Sequence, residues 1–197
     1  MHILQNLVFV GAAAQVFGIY LYIKDIFYGQ TKPNLATWTL WFVAPMVATA
    51  AALSKGVRWS VLPLFLAGLG PFVVIVASIF NKKSYWRLRK VDYICAALSV
   101  AALLLWVATK DANLAIIFAL LSDGLAGLPT VIKSYHYPET ETTLTYQLGI
   151  FSAVLSFFAI KQWVFAAYSL PIYLILMNGS LTASAFFGKR KITKHII

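Results

Sequence analysis

Residues 113–151 read NLAIIFALLSDGLAGLPTVIKSYHYPETETTLTYQLGIF. From Asn113 to Ile132 the only ionisable side chain is Asp123, and Lys133 closes the run. A helix rising about 1.5 Å per residue needs about 20 such residues to cross a hydrocarbon core about 30 Å thick, so the run predicts a transmembrane helix. A short polar loop follows, with Pro138 and Glu139 as turn residues, and a second apolar run starts at Thr143. Barrel strands would instead alternate polar and apolar residues over about ten positions, and this stretch does not.

Extended outward, the same reading finds seven apolar runs, at 3–23, 35–54, 60–80, 92–109, 113–132, 143–160 and 165–187. The connections are short and carry turn chemistry at Gly29, Lys32-Pro33-Asn34, Lys55-Gly56 and Lys110-Asp111. With 61% hydrophobic and 11% charged residues and a mean hydropathy of +0.80, the 197-residue chain has more apolar surface than a water-soluble domain could bury. Lipid must be part of its solvent, and spanning segments must then satisfy their own backbone as helices. The predicted fold is an all-α membrane protein of seven transmembrane helices.

Several function classes drop out. Cys95 is the single cysteine, so there is neither an internal disulfide nor a thiolate cluster. His2, His136 and His195 show no ligand spacing, and no metal or cofactor is expected. No metalloprotease, nucleophile-elbow or phosphate-loop motif occurs, so the chain is not read as an enzyme. The last run has no lysine for a retinal Schiff base. The net charge of +10 comes from residues clustered between apolar runs, not from an aromatic-interleaved patch, so nucleic acid is not an expected partner. The expected partners are the lipid bilayer and a small-molecule solute. Met1 to Val8 lacks the basic start of a secretory signal, and the first run is read as retained.

Lys and Arg set the orientation, because short cytoplasmic loops are enriched in them. With the N-terminus outside, the cytoplasmic face holds Lys24, Lys32, Lys82, Lys83, Arg87, Arg89, Lys90, Lys133, Lys189, Arg190, Lys191 and Lys194. Only Lys55, Arg58, Lys110 and Lys161 remain outside. The expectation is N-out and C-in, in a membrane read as the bacterial inner membrane from the compact loops.

An internal repeat appears when the first two runs are laid over the fifth and sixth at an offset of 109, which pairs Gly18 with Gly127, Lys24 with Lys133, Tyr28 with Tyr137 and Leu35 with Leu144. An offset of 108 then pairs Leu62-Pro63 with Leu170-Pro171. The chain therefore divides into a first three-helix repeat at 1–80, a basic loop and linker helix at 81–112, a second three-helix repeat at 113–188 and a basic cytoplasmic tail at 189–197. An odd linker helix lets both repeats start on the same side, as parallel repeats.

Gly127-Leu128-Pro129-Thr130-Val131-Ile132-Lys133-Ser134, followed by Glu139 to Leu144, resembles the PQ-loop and SWEET superfamily of transporters. The likeness lies in a proline-polar pair inside a helix, a basic helix end, a short polar loop and the next helix, within a three-plus-one-plus-three layout. The chain departs from that pattern where Thr130 replaces the glutamine and Tyr20-Leu21 stands in the first half. The resemblance implies a solute site near mid-membrane between the two bundles and alternating access through bending helices. Pro45, Pro63, Pro71, Pro129 and Pro171 are the candidate hinges, since a proline inside a helix removes a hydrogen bond and favours a kink.

Asp123 stands out among the candidates because an acid at a helix centre is expensive and is retained facing a cavity or partner, protonated or paired. It is the expected proton-coupling residue, with a structural hydrogen bond to Gln15, Ser122 or another helix as the rival reading. Asn178 is similar to the asparagine that SWEET-type carriers place in their last helix against substrate, although its repeat counterpart here is Gly70, and an amide holding neighbouring helices together is its rival reading. Gln15 and Trp41 complete the expected substrate contacts, Gln15 and Gln147 being weaker candidates and Trp41 having interfacial anchoring as its rival reading. Trp38, Trp86 and Trp163 are read as interfacial anchors, and Glu139 and Glu141 with Lys133 and His136 as a solvated cluster. The leading expectation is a small-solute carrier or facilitator. The alternatives are a receptor or cargo-binding module, as in KDEL-receptor-like proteins of this fold, and a structural membrane protein without transport.

Overall fold

A computed structural model of the chain describes residues 7–54, 62–81, 86–109, 111–160 and 162–196. Among these there are seven α-helices and no strand: α1 (Leu7–Phe27), α2 (Leu35–Ser54), α3 (Leu62–Phe80), α4 (Lys90–Ala108), α5 (Ala112–His136), α6 (Thr143–Ser156) and α7 (Phe165–Ile196). Four segments, Leu7–Phe27, Lys90–Ala108, Asn113–His136 and Ala167–Ile192, are long and apolar enough to cross a membrane. Leu35–Met46, Ala67–Phe80 and Thr143–Ala159 are apolar but shorter.

Local chemistry explains the helix ends. Gly29, at φ 73°, takes the left-handed conformation that ends α1. Asn34 starts α2 by accepting from the Ala36 amide at 3.1 Å, and Asp111 starts α5 by accepting from Leu114 at 2.9 Å. Asp92 folds back onto the Arg89 amide at the start of α4.

Two boundaries differ from the sequence reading. The sixth run was expected to continue to residue 160, but α6 ends at Ser156 and a 3₁₀ turn, Phe157–Ala159, follows. The last run was expected to end at residue 187, but α7 continues through Lys189, Arg190 and Lys191 to Ile196, so the basic segment is helical. Hydropathy falls there, but Lys and Arg are good helix formers. His2, Lys55, Arg58, Lys82, Lys83, Lys110 and Lys161 lie outside the described residues.

Leaving α4 aside, the chain pairs its helices in a pattern unchanged by exchanging α1, α2 and α3 for α5, α6 and α7. Helix α3 packs on α1 and α2, as α7 packs on α5 and α6, while α1 packs on α6 and α2 on α5. Helix α4 rests on α5 and α2. Two threonines, each the third residue of its helix, make matching cross-links: Thr37 Oγ1 donates to Ala126 O at 2.6 Å and Thr145 Oγ1 to Gly18 O at 2.7 Å. These contacts correspond at an offset of 108, one fewer than the residue matches over the same helices suggest.

Contacts also fix the sense of each helix. The ends of α1, α3, α5 and α7 meet the starts of α2, α4 and α6, through Tyr22 with Glu141, Asn81 with Ile26 O, Asn34 with Asp92, Arg89 with Tyr137 and Lys191 with the Tyr135 ring. This end carries Lys24, Lys32, Arg89, Lys133 and Lys189 to Lys191, and is called the basic end below.

The outside is apolar, and the core joins apolar side chains such as Ile26, Val74 and Leu181 to buried polar ones. Large apolar side chains such as Phe9, Val16, Leu104, Leu105, Val107 and Leu176 cover the outside, while Thr31, Asn34, Thr37, Ser99, Ser122 and Thr130 are buried. So much exposed apolar surface suits hydrocarbon, and buried hydroxyls crossing between helices suit helix association inside it. This is the make-up of an integral membrane protein.

Candidate functional site

A cavity of about 540 Å³ lies between the two helix triplets. Its aromatic wall comes from α2 and α4. Trp38, Trp41 and Pro45 follow one face of α2 at i, i+3 and i+7, and Trp106 of α4 joins them. The two α2 indoles meet edge to face with centroids 5.3 Å apart. The polar wall is built mainly from α7, where Ser169, Tyr173 and Met177 repeat every fourth residue with Asn178 beside them. Gln15 of α1, Asp123 of α5 and Thr145 of α6 complete it.

All four solute or proton candidates from the sequence, Gln15, Trp41, Asp123 and Asn178, thus border one cavity although they come from four helices. Asp123 is partly buried, and its Oδ2 accepts a hydrogen bond from the Tyr173 hydroxyl at 2.5 Å. Its backbone oxygen accepts from Trp41 Nε1 at 3.2 Å, which ties α5 to α2 across the two triplets. Of the partners in the rival, structural reading, Ser122 bonds Ser99 on α4 and Gln15 meets Ser152 at 3.4 Å, but the Tyr173 bond from α7 is the expected kind of bond to another helix. Asn178 Nδ2 donates to Leu174 O at 2.9 Å, and Gly149 fits tightly against its amide: a Cβ on Gly149 would approach to 3.1 Å. Gln147 is exposed and away from the cavity.

Among the hinge candidates, Pro45, Pro71, Pro129 and Pro171 lie inside α2, α3, α5 and α7, and Pro63 falls in the first turn of α3 as described. Pro45 and Pro71 border the cavity. Pro45 leaves the Trp41 carbonyl without its helical donor, next to the cavity wall.

Tyr146 borders the cavity, and beyond it towards the basic end the core is closed by a polar network. Lys133 and Glu141 form an ion pair at 2.5 Å with side chains 1% and 0% exposed. Lys133 Nζ also donates to the carbonyls of Lys32 and Thr140, so its three protons meet three acceptors. The other Glu141 oxygen accepts from Tyr22 at 3.0 Å and from Tyr146 at 2.6 Å. Thr142 links Thr31 at 2.5 Å and Asp25 at 2.8 Å. The expectation of a solvated cluster is therefore wrong for Lys133 and Glu141. They are buried because the 138–142 loop folds under the ends of α1 and α5, while His136 and Glu139 stay exposed. Trp38 likewise is not an interfacial anchor, being 3% exposed and packed on Tyr22 at 4.9 Å. Trp86 packs beside Arg89, Lys133 and Tyr137, and Trp163 is 65% exposed, as an anchor would be.

Sequence reasoning missed Trp106, Ser169 and Tyr173. Trp106 and Ser169 look like ordinary boundary residues, but Tyr173 had a legible signal as a hydroxyl well inside the last apolar run. Comparison of the chain with family models, with curated proteins and with solved structures finds no match in any of the three. The functional reading rests on the residues of the cavity itself.

Proposed function

We propose that this chain is a small-solute membrane carrier or facilitator of the SWEET and PQ-loop type, working by alternating access between two parallel three-helix repeats. One observation carries the reading: Gln15, Trp41, Asp123 and Asn178, from four helices in both triplets, border a single cavity of about 540 Å³. Pockets of about 300–1,000 Å³ accommodate small organic molecules, and carriers built from repeats hold substrate at the repeat interface.

In this reading Gln15, Trp41 and Asn178 contact the solute, and Asp123 carries a proton through the cycle. Pro45, Pro71, Pro129 and Pro171 supply the bends. Opening at the basic end separates Tyr22 from Glu141, Thr31 from Thr142 and Lys133 from the Lys32 carbonyl. The chain sits N-out and C-in with seven spans, in a bacterial inner membrane.

Accessibility tests the cycle. Ala119 borders the cavity one turn before Asp123. A cysteine at Ala119, in a Cys95→Ala background, reacts with an impermeant maleimide added to either side of oriented proteoliposomes if access alternates. Reaction from one side alone points to a receptor, and reaction from neither side to a scaffold.

A further inference from the structure

The polar groups left uncommitted in the cavity limit what can fill it. Tyr173 is engaged with Asp123, Tyr146 with Glu141, Thr145 with the Gly18 carbonyl, Trp41 with the Asp123 carbonyl, and the Asn178 amino group with Leu174. The Gln15 amino group, the Asn178 oxygen, the second Asp123 oxygen and the Trp38 indole N–H remain, together with the Ser169 hydroxyl, which is 7% exposed and, like the Trp38 N–H, has no hydrogen-bond partner. A polyol brings several hydroxyls, and each one desolvated without a partner costs about 1–3 kcal/mol. That set is small beside the apolar wall, so a mostly apolar body suits the cavity better than one with hydroxyls all round.

The charge balance points the other way. Asp123 borders the cavity, and no Lys, Arg or His is among the described residues that do. The other titratable side chains along the cavity, Tyr146 and Tyr173, supply no positive charge. A carboxylate at such a site needs a cationic partner or a proton. The indoles of Trp38, Trp41 and Trp106 border the same cavity, Trp41 beside Asp123 itself, and aromatic rings attract cations.

Resting on the carrier reading for its role, we propose that the solute is a monovalent organic cation, a protonated or quaternary amine on an apolar or aromatic body. Its charge lies at Asp123, its body among the three indoles, and the Ser169 hydroxyl serves a polar group on that body.

The test is calorimetric binding to the purified full chain in lipid nanodiscs at neutral pH. The probes are benzylamine and benzyltrimethylammonium, compared with benzyl alcohol and benzoate, so that charge varies on one body. The expected result is binding of at least one cation about tenfold or more tighter than the alcohol, a difference of one charge-pair increment, with benzoate weakest. Asp123→Asn removes that preference. Where the variant does not fold, the charge series on the unaltered protein decides alone. Benzyl alcohol binding within about twofold of both cations, or no binding of either cation, overturns the proposal. Cation binding without flux in proteoliposomes overturns the carrier reading and leaves the site standing. Flux of a neutral solute without cation binding does the reverse.

Discussion

Glu141→Gln should destabilise the protein far more than a loop substitution normally does. Glu141 is 6% exposed as a residue, and its carboxylate accepts from Lys133, Tyr22 and Tyr146. The amide keeps the volume but removes the charge, leaving the Lys133 ammonium buried with only the Lys32 and Thr140 carbonyls. Breaking one side of a buried ion pair costs about 3–5 kcal/mol, because the remaining charge is desolvated and uncompensated. Lys133→Met should cost a similar amount, since it strands the carboxylate. The double variant should recover part of the loss, because two neutral groups in that pocket are less costly than one stranded charge. Reversible unfolding of the purified protein in mixed micelles, followed by circular dichroism, measures all three. Single-variant losses below about 1 kcal/mol, or strictly additive losses in the double variant, would refute the reasoning, since that is the range of a solvated surface pair.

Three further outcomes follow from the same account. Asp123→Asn should remove the pH dependence of uptake in proteoliposomes, because the amide cannot exchange the proton that biases the two conformations; uptake by the variant that still follows an imposed pH gradient contradicts the assignment. A cysteine at Ser84 in a Cys95→Ala background should resist an impermeant maleimide in intact cells, and ready labelling would invert the N-out orientation. Gly188→Ala should lower stability by about 1–3 kcal/mol, since the added methyl meets the Tyr135 carbonyl where α7 crosses the end of α5, and unfolding in the same micelles within about 0.5 kcal/mol of the parent would show that the crossing is slack.

The helices and the cavity residues were legible for the same physical reason. In an apolar run, an isolated Asp123, Asn178 or Gln15 is conspicuous because hydrocarbon tolerates it poorly, and all three border the cavity. Lys133 and Glu141 were misread because their neighbourhood is polar in sequence. Whether a polar loop is solvated depends on what folds over it, here the ends of α1 and α5, and composition does not carry that information. Trp38 and Trp41 are three residues apart and so share a helix face, but the sequence does not say whether that face meets lipid or protein. The same ambiguity hid Trp106. The end of α7 was misplaced because hydropathy marks where a helix leaves lipid, while backbone hydrogen bonding and helix propensity decide where it stops.

Flux is the most direct test of the carrier account. Proteoliposomes loaded with a mixed extract of small metabolites, diluted into buffer and compared by mass spectrometry with protein-free vesicles, report every solute the protein releases. The account predicts accelerated, saturable loss of a small set of solutes, slowed by a bulky substitution at the cavity wall such as Gly149→Leu, whose side chain would press on Asn178. Retention of every solute as in protein-free vesicles, by protein shown to be folded and oriented, would contradict it.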